Sequence, residues 1–583
     1  MLQGWFVIVV ALAYIGLLFA IASYGDRWSR RGAGPPRLLI YPLSLAIYCT
    51  SWTFFGSVGL ATQSGFDFLA IYIGPVITIG LGWRLVAHVT RLSKAQNIVS
   101  IADFIGARYG KHQGVAATVA LIAIVGTVPY IALQLKALSS SLSTIAAPIP
   151  GWAGQAQPML GDPPLLVAVS LAAFAVLFGT RHNDATEHQH GLMLAVAVES
   201  IVKLFAFLAV GVFVTFVMFP GPAALLAGAL KRPDAAVLSA GTSAGTMAAI
   251  TLLSACSIIL LPRQFHVAVV ENQNESEIRR AAWLFPVYLL LINLFVMPVA
   301  IAGVLTFPQG TVDSDMYVLA LPISAGSQLL ALTTFVGGLS AAAAMVIVET
   351  VALAIMVSND IVVPLVLMRF PGVNVGSHLL TVRRIAILGV LLLAYLYYGY
   401  AGPAHLAVIG LMAFVAIAQL APAFFGGLMW RRGTAAGALA GMTTGILTWA
   451  YTLLLPSLAG SATATALITQ GPFGITALRP QALFGFDLPP LINGMVWSLT
   501  FNLLLYVVVS LSRRPSAIER IQADIFVPRG LAPVPSFRLR RSTVTVQELT
   551  AAVGRYLGEE RTRLSFDGFA AERHLRLEPG ADA

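Results

Sequence analysis

The sequence predicts an all-α polytopic membrane protein. Composition is the first reason. Of 583 residues, 58% are hydrophobic and only 10% are charged, and the mean hydropathy is +0.83. Length is the second. The apolar residues gather into segments of about 20, enough for a helix to cross the hydrocarbon core. Backbone polar groups in lipid must bond within their own segment, so these are helices and not isolated strands. The third reason is the loops, which are short and hold most of the Arg and Lys.

About thirteen spans are read in order. Span one lies near 3–23. Met1-Leu2-Gln3 offers no basic n-region and no small-residue cleavage site precedes Arg27, so it reads as a mature helix. Spans two and three lie near 39–61 and 67–89, and span four near 114–146, where Gly126 and Pro129 predict a kink or a split. Spans five, six and seven lie near 163–180, 191–219 and 240–262. Spans eight and nine lie near 281–306 and 327–357, ten and eleven near 383–400 and 405–429, twelve and thirteen near 434–456 and 490–512.

Basic residues follow the odd-numbered spans. Arg27, Arg30, Arg31 and Arg37 follow span one; Arg91, Lys94, Arg108 and Lys111 follow span three. Arg181, then Arg263, Arg279 and Arg280, then Arg369, Arg383 and Arg384 continue the series, and Arg431, Arg432, Arg513 and Arg514 complete it. The alternate loops carry almost none. The positive-inside rule therefore places the N-terminus outside and the C-terminus in the cytoplasm. A net charge of +10 is accounted for by basic loops facing anionic lipid and requires no nucleic-acid partner. Two cysteines inside spans, Cys49 and Cys256, supply neither a disulfide framework nor a zinc site.

The transmembrane domain occupies 1–512, with core repeats near 39–219 and 240–429, and 513–583 forms a cytoplasmic tail. Within the tail, Ala-Pro-Val-Pro at 532–535 reads as linker, and Thr545 to Glu560 as a short amphipathic helix. A docking or linker role is the economical reading.

Ionisable groups within spans are costly and mark pairs, cavities or ion pathways. Glu199 and Lys203 stand four apart in span six, on one helix face, in the order that favours a pair. Lys136 in span four and Glu349 in span nine have no residue of opposite charge three or four positions away. Polar and small residues collect in span two around Ser44 to Gly59, at the start of span seven, and in span nine around Thr333 to Ala344. Close helix packing explains such residues most simply. They also allow a helix to unwind around a solute at the bilayer midplane, and spans two and seven stand five helices apart.

Several segments together resemble the sodium:solute symporter family over spans one to thirteen. They are Ser51-Trp-Thr-Phe-Phe-Gly56-Ser-Val-Gly59, Ser100-Ile-Ala-Asp103-Phe-Ile-Gly-Ala-Arg108-Tyr-Gly110, Phe178-Gly-Thr-Arg181-His and Glu199-Ser-Ile-Val-Lys203-Leu. Leu261-Pro-Arg263-Gln264-Phe-His266, with Glu271-Asn272, Arg280-Ala-Ala-Trp283-Leu-Phe-Pro286 and Met356-Val-Ser-Asn359-Asp360 complete the series. The chain is similar above all to the symporter-like membrane region of CbrA-type sensor histidine kinases. The resemblance implies a LeuT-type inverted-repeat fold, a solute site between spans two, four, seven and eleven, and alternating access driven by an ion gradient. It implies a sodium site built from span-two carbonyls and span-nine hydroxyls. Here the sequence departs: Tyr48 stands where the sodium/proline branch has Asp, and Ala344 and Met345 fall where paired Ser and Thr are expected. No cofactor is implied. The coupling ion is Na+ or H+, and the missing hydroxyls count against Na+.

The function expected is secondary transport of a small polar solute, an amino acid or other carboxylate. The alternative is a solute-sensing module for a histidine kinase reached through the tail. Lipid and solute are the other partners. No nucleophile–base set, metal spacing or phosphate loop suggests an enzyme. Candidate solute-binding residues are Tyr48, Ser51, Trp52, Gln134, Thr246 and Ser254. Candidates for ion coupling are Glu199, Lys203, Glu349 and Ser340, and for a gate Asp103, Arg263, Gln264, His266 and Asp360.

Overall fold

The structure is a computed structural model that describes residues 4–30, 37–146, 163–179, 190–231, 241, 243–308, 310–369, 378–400, 405–458, 468–486, 488–527, 545–557 and 559–573. The Thr-Arg-His end of the span-five motif and the Ala-Pro-Val-Pro run lie outside these residues. Nearly every described element is helical. Nine helices among the described residues are long and apolar enough to cross a bilayer, and two bent pairs bring the number to eleven. The sequence reading gave about thirteen, and the difference lies in two places. Span five is the short apolar helix Pro163–Gly179. Spans two and three share the continuous run Trp52–Leu81. That run is not straight. Ser57 Oγ and Tyr72 Oη lie 2.6 Å apart, whereas fifteen residues of straight helix would hold them about 22 Å apart. The chain doubles back at Gly65, whose φ of 59° places it in the left-handed region that glycine tolerates.

Packing gathers the spans around a polar centre. Span six, His190–Val212, lies along span nine, Gln328–Met356, and span four, Gln113–Ala146, lies along span eleven, Leu406–Ala418. Span seven packs on the start of span three, and span one on span six. Large apolar side chains such as Leu81, Phe205, Leu290 and Leu392 remain exposed on the outside of the bundle. A lipid-facing surface explains them, since lipid tails are as apolar as these side chains.

Spans twelve and thirteen, Ala435–Trp449 and Pro490–Ser512, meet through small residues. Gly437, Gly441 and Gly445 recur every four residues and let the helix backbones approach closely. A Cβ at Gly441 would sit 2.7 Å from both the carbonyl and the side-chain oxygen of Asn502. Gly441→Leu is therefore expected to lower the thermal midpoint of the purified protein, by the ~1–3 kcal/mol that overpacking costs. An unchanged midpoint would show that this seam yields freely.

Outside the membrane core, helix Ile101–Arg108 begins with a Ser100 N-cap that takes the Asp103 N–H at 3.0 Å. The base of the tail docks on it. Helix Ala517–Phe526 buries Phe526 against Phe104, at 5.2 Å between ring centroids, and Glu519 accepts a hydrogen bond from Ala435 N at 2.6 Å. Two further tail helices, Val546–Leu557 and Glu559–Arg573, pack on each other, and Arg520 pairs with Glu548 at 2.7 Å.

At the opposite end of the bundle, Asp315 accepts the first N–H of span eleven, from Leu406, at 3.0 Å. His405 Nδ1 lies 3.8 Å from Asp315 Oδ2 and 4.0 Å from Asp313 Oδ1. The hydrogen bond to Asp315 raises the histidine above its ordinary value, against partial desolvation. A group raised on folding contributes fully below its unfolded pKa and loses the contribution as pH rises through the folded one. His405→Ala should therefore lower the thermal midpoint most at about pH 6 and hardly at about pH 9. A gap that widens with pH would contradict this assignment.

Candidate functional site

The centre of the protein is set by two helix breaks. Span two runs as a helix over Arg37–Leu45 and tightens over Ala46–Tyr48. It leaves helical geometry at Cys49 (φ −80°, ψ 95°) and Thr50, then resumes as a wide helical turn over Trp52–Gly56. Side chains replace the lost ladder there. Thr50 Oγ1 accepts from Trp52 N at 3.2 Å and shares a 2.9 Å hydrogen bond with Tyr130 Oη. Ser51 N donates to Gln134 Oε1 at 3.2 Å. Span seven is helical over Ala244–Leu260, extended at Leu261 (φ −61°, ψ 129°), and helical again from Pro262, with a 56° bend. The cause is local: a residue before proline is disfavoured in the α region, and proline is well suited to the first helical position.

The restarted half of span seven opens with Arg263 and Gln264, both fully buried. Arg263 Nη1 pairs with Glu349 Oε2 at 2.7 Å, and neither side chain is exposed. The guanidinium carbon stands 4.7 Å from the Tyr130 ring centroid, a cation–π contact. Its Nε and Nη2 have no acceptor among the described residues, and neither Glu349 Oε1 nor Gln264 Oε1 has a donor. Tyr130 stacks on Phe414 of span eleven at 5.7 Å, and Tyr48 lies 6.2 Å from the same ring. Trp52 Nε1 donates to Ala407 O at 3.3 Å. Tyr48, Ser51, Trp52 and Gln134 thus converge with Arg263, Glu349, Tyr130 and Phe414, all of them buried.

The other candidate residues are placed differently. Thr246 sits in the first turn of span seven, where its N–H is capped by Ser243, about four helical turns from the break at Leu261. Ser254 donates to Ala70 O at 2.9 Å and holds span seven against span three. Lys136 is half-buried, and its charge reaches His405. Arg263, read in the sequence as a gate residue facing Asp103 or Asp360, pairs with Glu349 instead. Asp103 and Asp360 are linked through Ser100, whose hydroxyl lies 3.0 Å from Asp103 N and 3.4 Å from Asp360 Oδ2, and burial raises the Asp103 carboxyl above its ordinary value. His266 lies 3.4 Å from Glu271.

Lys203 also departs from the expected pairing. Its ammonium donates to Ala46 O and Cys49 O, each at 2.7 Å, rather than to Glu199. Glu199 Oε1 has no hydrogen-bond partner among the described residues. Ser340 donates to Glu199 O at 2.9 Å and accepts from Tyr14 Oη at 2.9 Å. Sequence reading missed Tyr130 and Phe414, which look like ordinary core aromatics, and the 86-residue reach from Arg263 to Glu349. The Leu261-Pro262 step was the available signal for the second break.

Comparison with known proteins agrees with this architecture. Residues 41–142 match the model of the sodium:solute symporter family. A curated protein of Bacillus subtilis (strain 168), described as the uncharacterized symporter YhjB, is 23% identical over 435 residues, covering 72% of this chain and 82% of its own length. A Na+-coupled sialic acid symporter, solved in a substrate-bound outward-open state, superposes with a TM-score of 0.61 at 14% identity, over 87% of this chain and 98% of that one. The sodium:solute symporter resemblance carried by the sequence motifs is thus met by a family match, a symporter relative and a shared fold.

Proposed function

We propose that this chain is a secondary active transporter that moves a small polar solute bearing a carboxylate, with the two broken spans forming the solute site. It works in a bacterial inner membrane with its basic loops in the cytoplasm. The single observation that carries the reading is Arg263. It stands at the start of a half-helix, at the break in span seven, fully buried, paired with Glu349 through Nη1 and with no acceptor among the described residues for its Nε and Nη2. Arginine presents a fork that binds carboxylates through two parallel bonds, and half-helix N-termini favour anionic solute groups. Tyr130, Phe414 and Trp52 wall the same region with aromatic surface. The side chains at this centre are all buried, which suits one occluded stage of an alternating-access cycle.

A binding test separates this reading from a site without charge preference. Thermal stability of the purified protein is measured against a panel of amino acids and short carboxylic acids, each paired with its amide. The expected result is saturable stabilisation by one or more carboxylates and none by the matching amides. Equal stabilisation by acid and amide would remove Arg263 from the solute site.

A further inference from the structure

We infer that Lys203 is a built-in cation occupying a monovalent-cation seat at the span-two break, so that the seat operates without sodium. The inference rests on the transporter reading only for its consequence, since the seat itself is defined by geometry. A helix ending inside a membrane leaves carbonyls without intrahelical donors, and these carry the negative end of the helix dipole. Such unwound carbonyls bind monovalent cations in transporters. Here the ending helix reaches Tyr48, and Ala46 O and Cys49 O converge on one point, 2.7 Å from each. Lys203 Nζ fills that point. Ala46 O also accepts Cys49 N at 3.0 Å, so the two carbonyls are held in place by the chain itself.

A hard metal cation would need further oxygens. Span nine packs against this break, but its Ala341 to Ala344 carry no side-chain oxygen. The nearest hydroxyl along that helix, Ser340, is engaged as both donor and acceptor. An ammonium has a smaller requirement: three N–H donors, two of which the carbonyls accept. The lysine comes from span six, so its bond also ties that helix to the break. The charged and titratable groups facing it are Glu199, one turn earlier on the same helix, Cys49 on span two, and Arg263 across the centre.

The test replaces the charge and keeps the bulk. Wild type, Lys203→Met and Lys203→Ala are purified, and thermal midpoints are measured in choline chloride, sodium chloride, lithium chloride and methylammonium chloride at equal ionic strength. Wild type is expected to show the same midpoint in sodium and choline. Lys203→Ala is expected to have a lower midpoint in choline, rising saturably by about 2 °C or more in methylammonium, whose ammonium head matches the two carbonyls, and not in sodium or lithium, which need further oxygens. Lys203→Met is expected to be destabilised without recovery, because the methionine blocks the seat. A saturable, sodium-specific stabilisation of wild type would overturn the inference, and that arm needs no variant to fold. A Lys203→Ala protein as stable as wild type in choline, or indifferent to every cation, would overturn it as well. The readout is ion-dependent stability, so a chain that moves no solute still reports on the seat.

Discussion

Replacing Arg263 alone by Met is expected to be severely destabilising, while replacing Arg263 and Glu349 together by Met and Gln restores folding without restoring solute binding. The single change strands the Glu349 carboxylate in a site with no exposure. Removing one partner of a buried ion pair typically costs ~3–5 kcal/mol. In the double variant no charge is left unpaired, and replacement of a buried pair by groups of similar volume is often close to neutral. Yield and thermal midpoint report the first effect. Carboxylate-induced stabilisation of the double variant reports the second, and its survival would show that the pair is architectural only.

The second large effect is expected at Arg108. Its guanidinium donates from Nε to Gly427 O and from Nη2 to Trp430 O, the latter at 2.9 Å, with the side chain buried. Gly427 lies in the last turn of the second half of span eleven, Ala421–Met429, and Trp430 is its C-cap; this half bends by 41° from the first. The neighbouring Tyr109 donates to Ala423 O in the same half-helix at 2.8 Å. A cation on helix C-terminal carbonyls satisfies groups that have no intrahelical donor and complements the dipole. Hydrogen bonds to charged groups contribute about 1.5–3 kcal/mol each, so Arg108→Leu should cost on the order of 3 kcal/mol or more. Lysine should rescue only part of this, because it lacks the fork that reaches both carbonyls. Thermal unfolding of the two variants checks the order, and Arg108→Lys equal to wild type would contradict it.

Much of the architecture was legible because lipid imposes it. A spanning helix must be long and apolar, so hydropathy located the bundle and also left a gap between spans two and three, at 61–67, where the chain turns at Gly65. The polar composition of spans two and seven fits the breaks in those helices, whereas the 41° bend of span eleven, where Asn502 Nδ2 donates to Gln419 O, had no such mark. The positions of the breaks were less accessible. Leu261-Pro262 announces one by simple stereochemistry, whereas Cys49-Thr50 has no local signal and depends on Tyr130, Gln134 and Lys203 reaching it from other spans. Pairings were the least legible. Glu199 and Lys203 stand at ideal helical spacing, yet two converging carbonyls hold the lysine instead. Arg263 looked like a loop anchor until Glu349, 86 residues away, drew it into the core. Local spacing predicts a partner only when no stronger one arrives from elsewhere in the fold.

The most direct test of the transport claim is uptake of labelled amino acids and short carboxylates into proteoliposomes containing the full chain, with sodium and proton gradients imposed separately. Concentrative uptake driven by a proton gradient, unaffected by sodium and absent in the Arg263→Met/Glu349→Gln protein, is the result predicted. Saturable binding of a solute with no flux under either gradient would contradict it and leave a solute-binding module in place of a transporter.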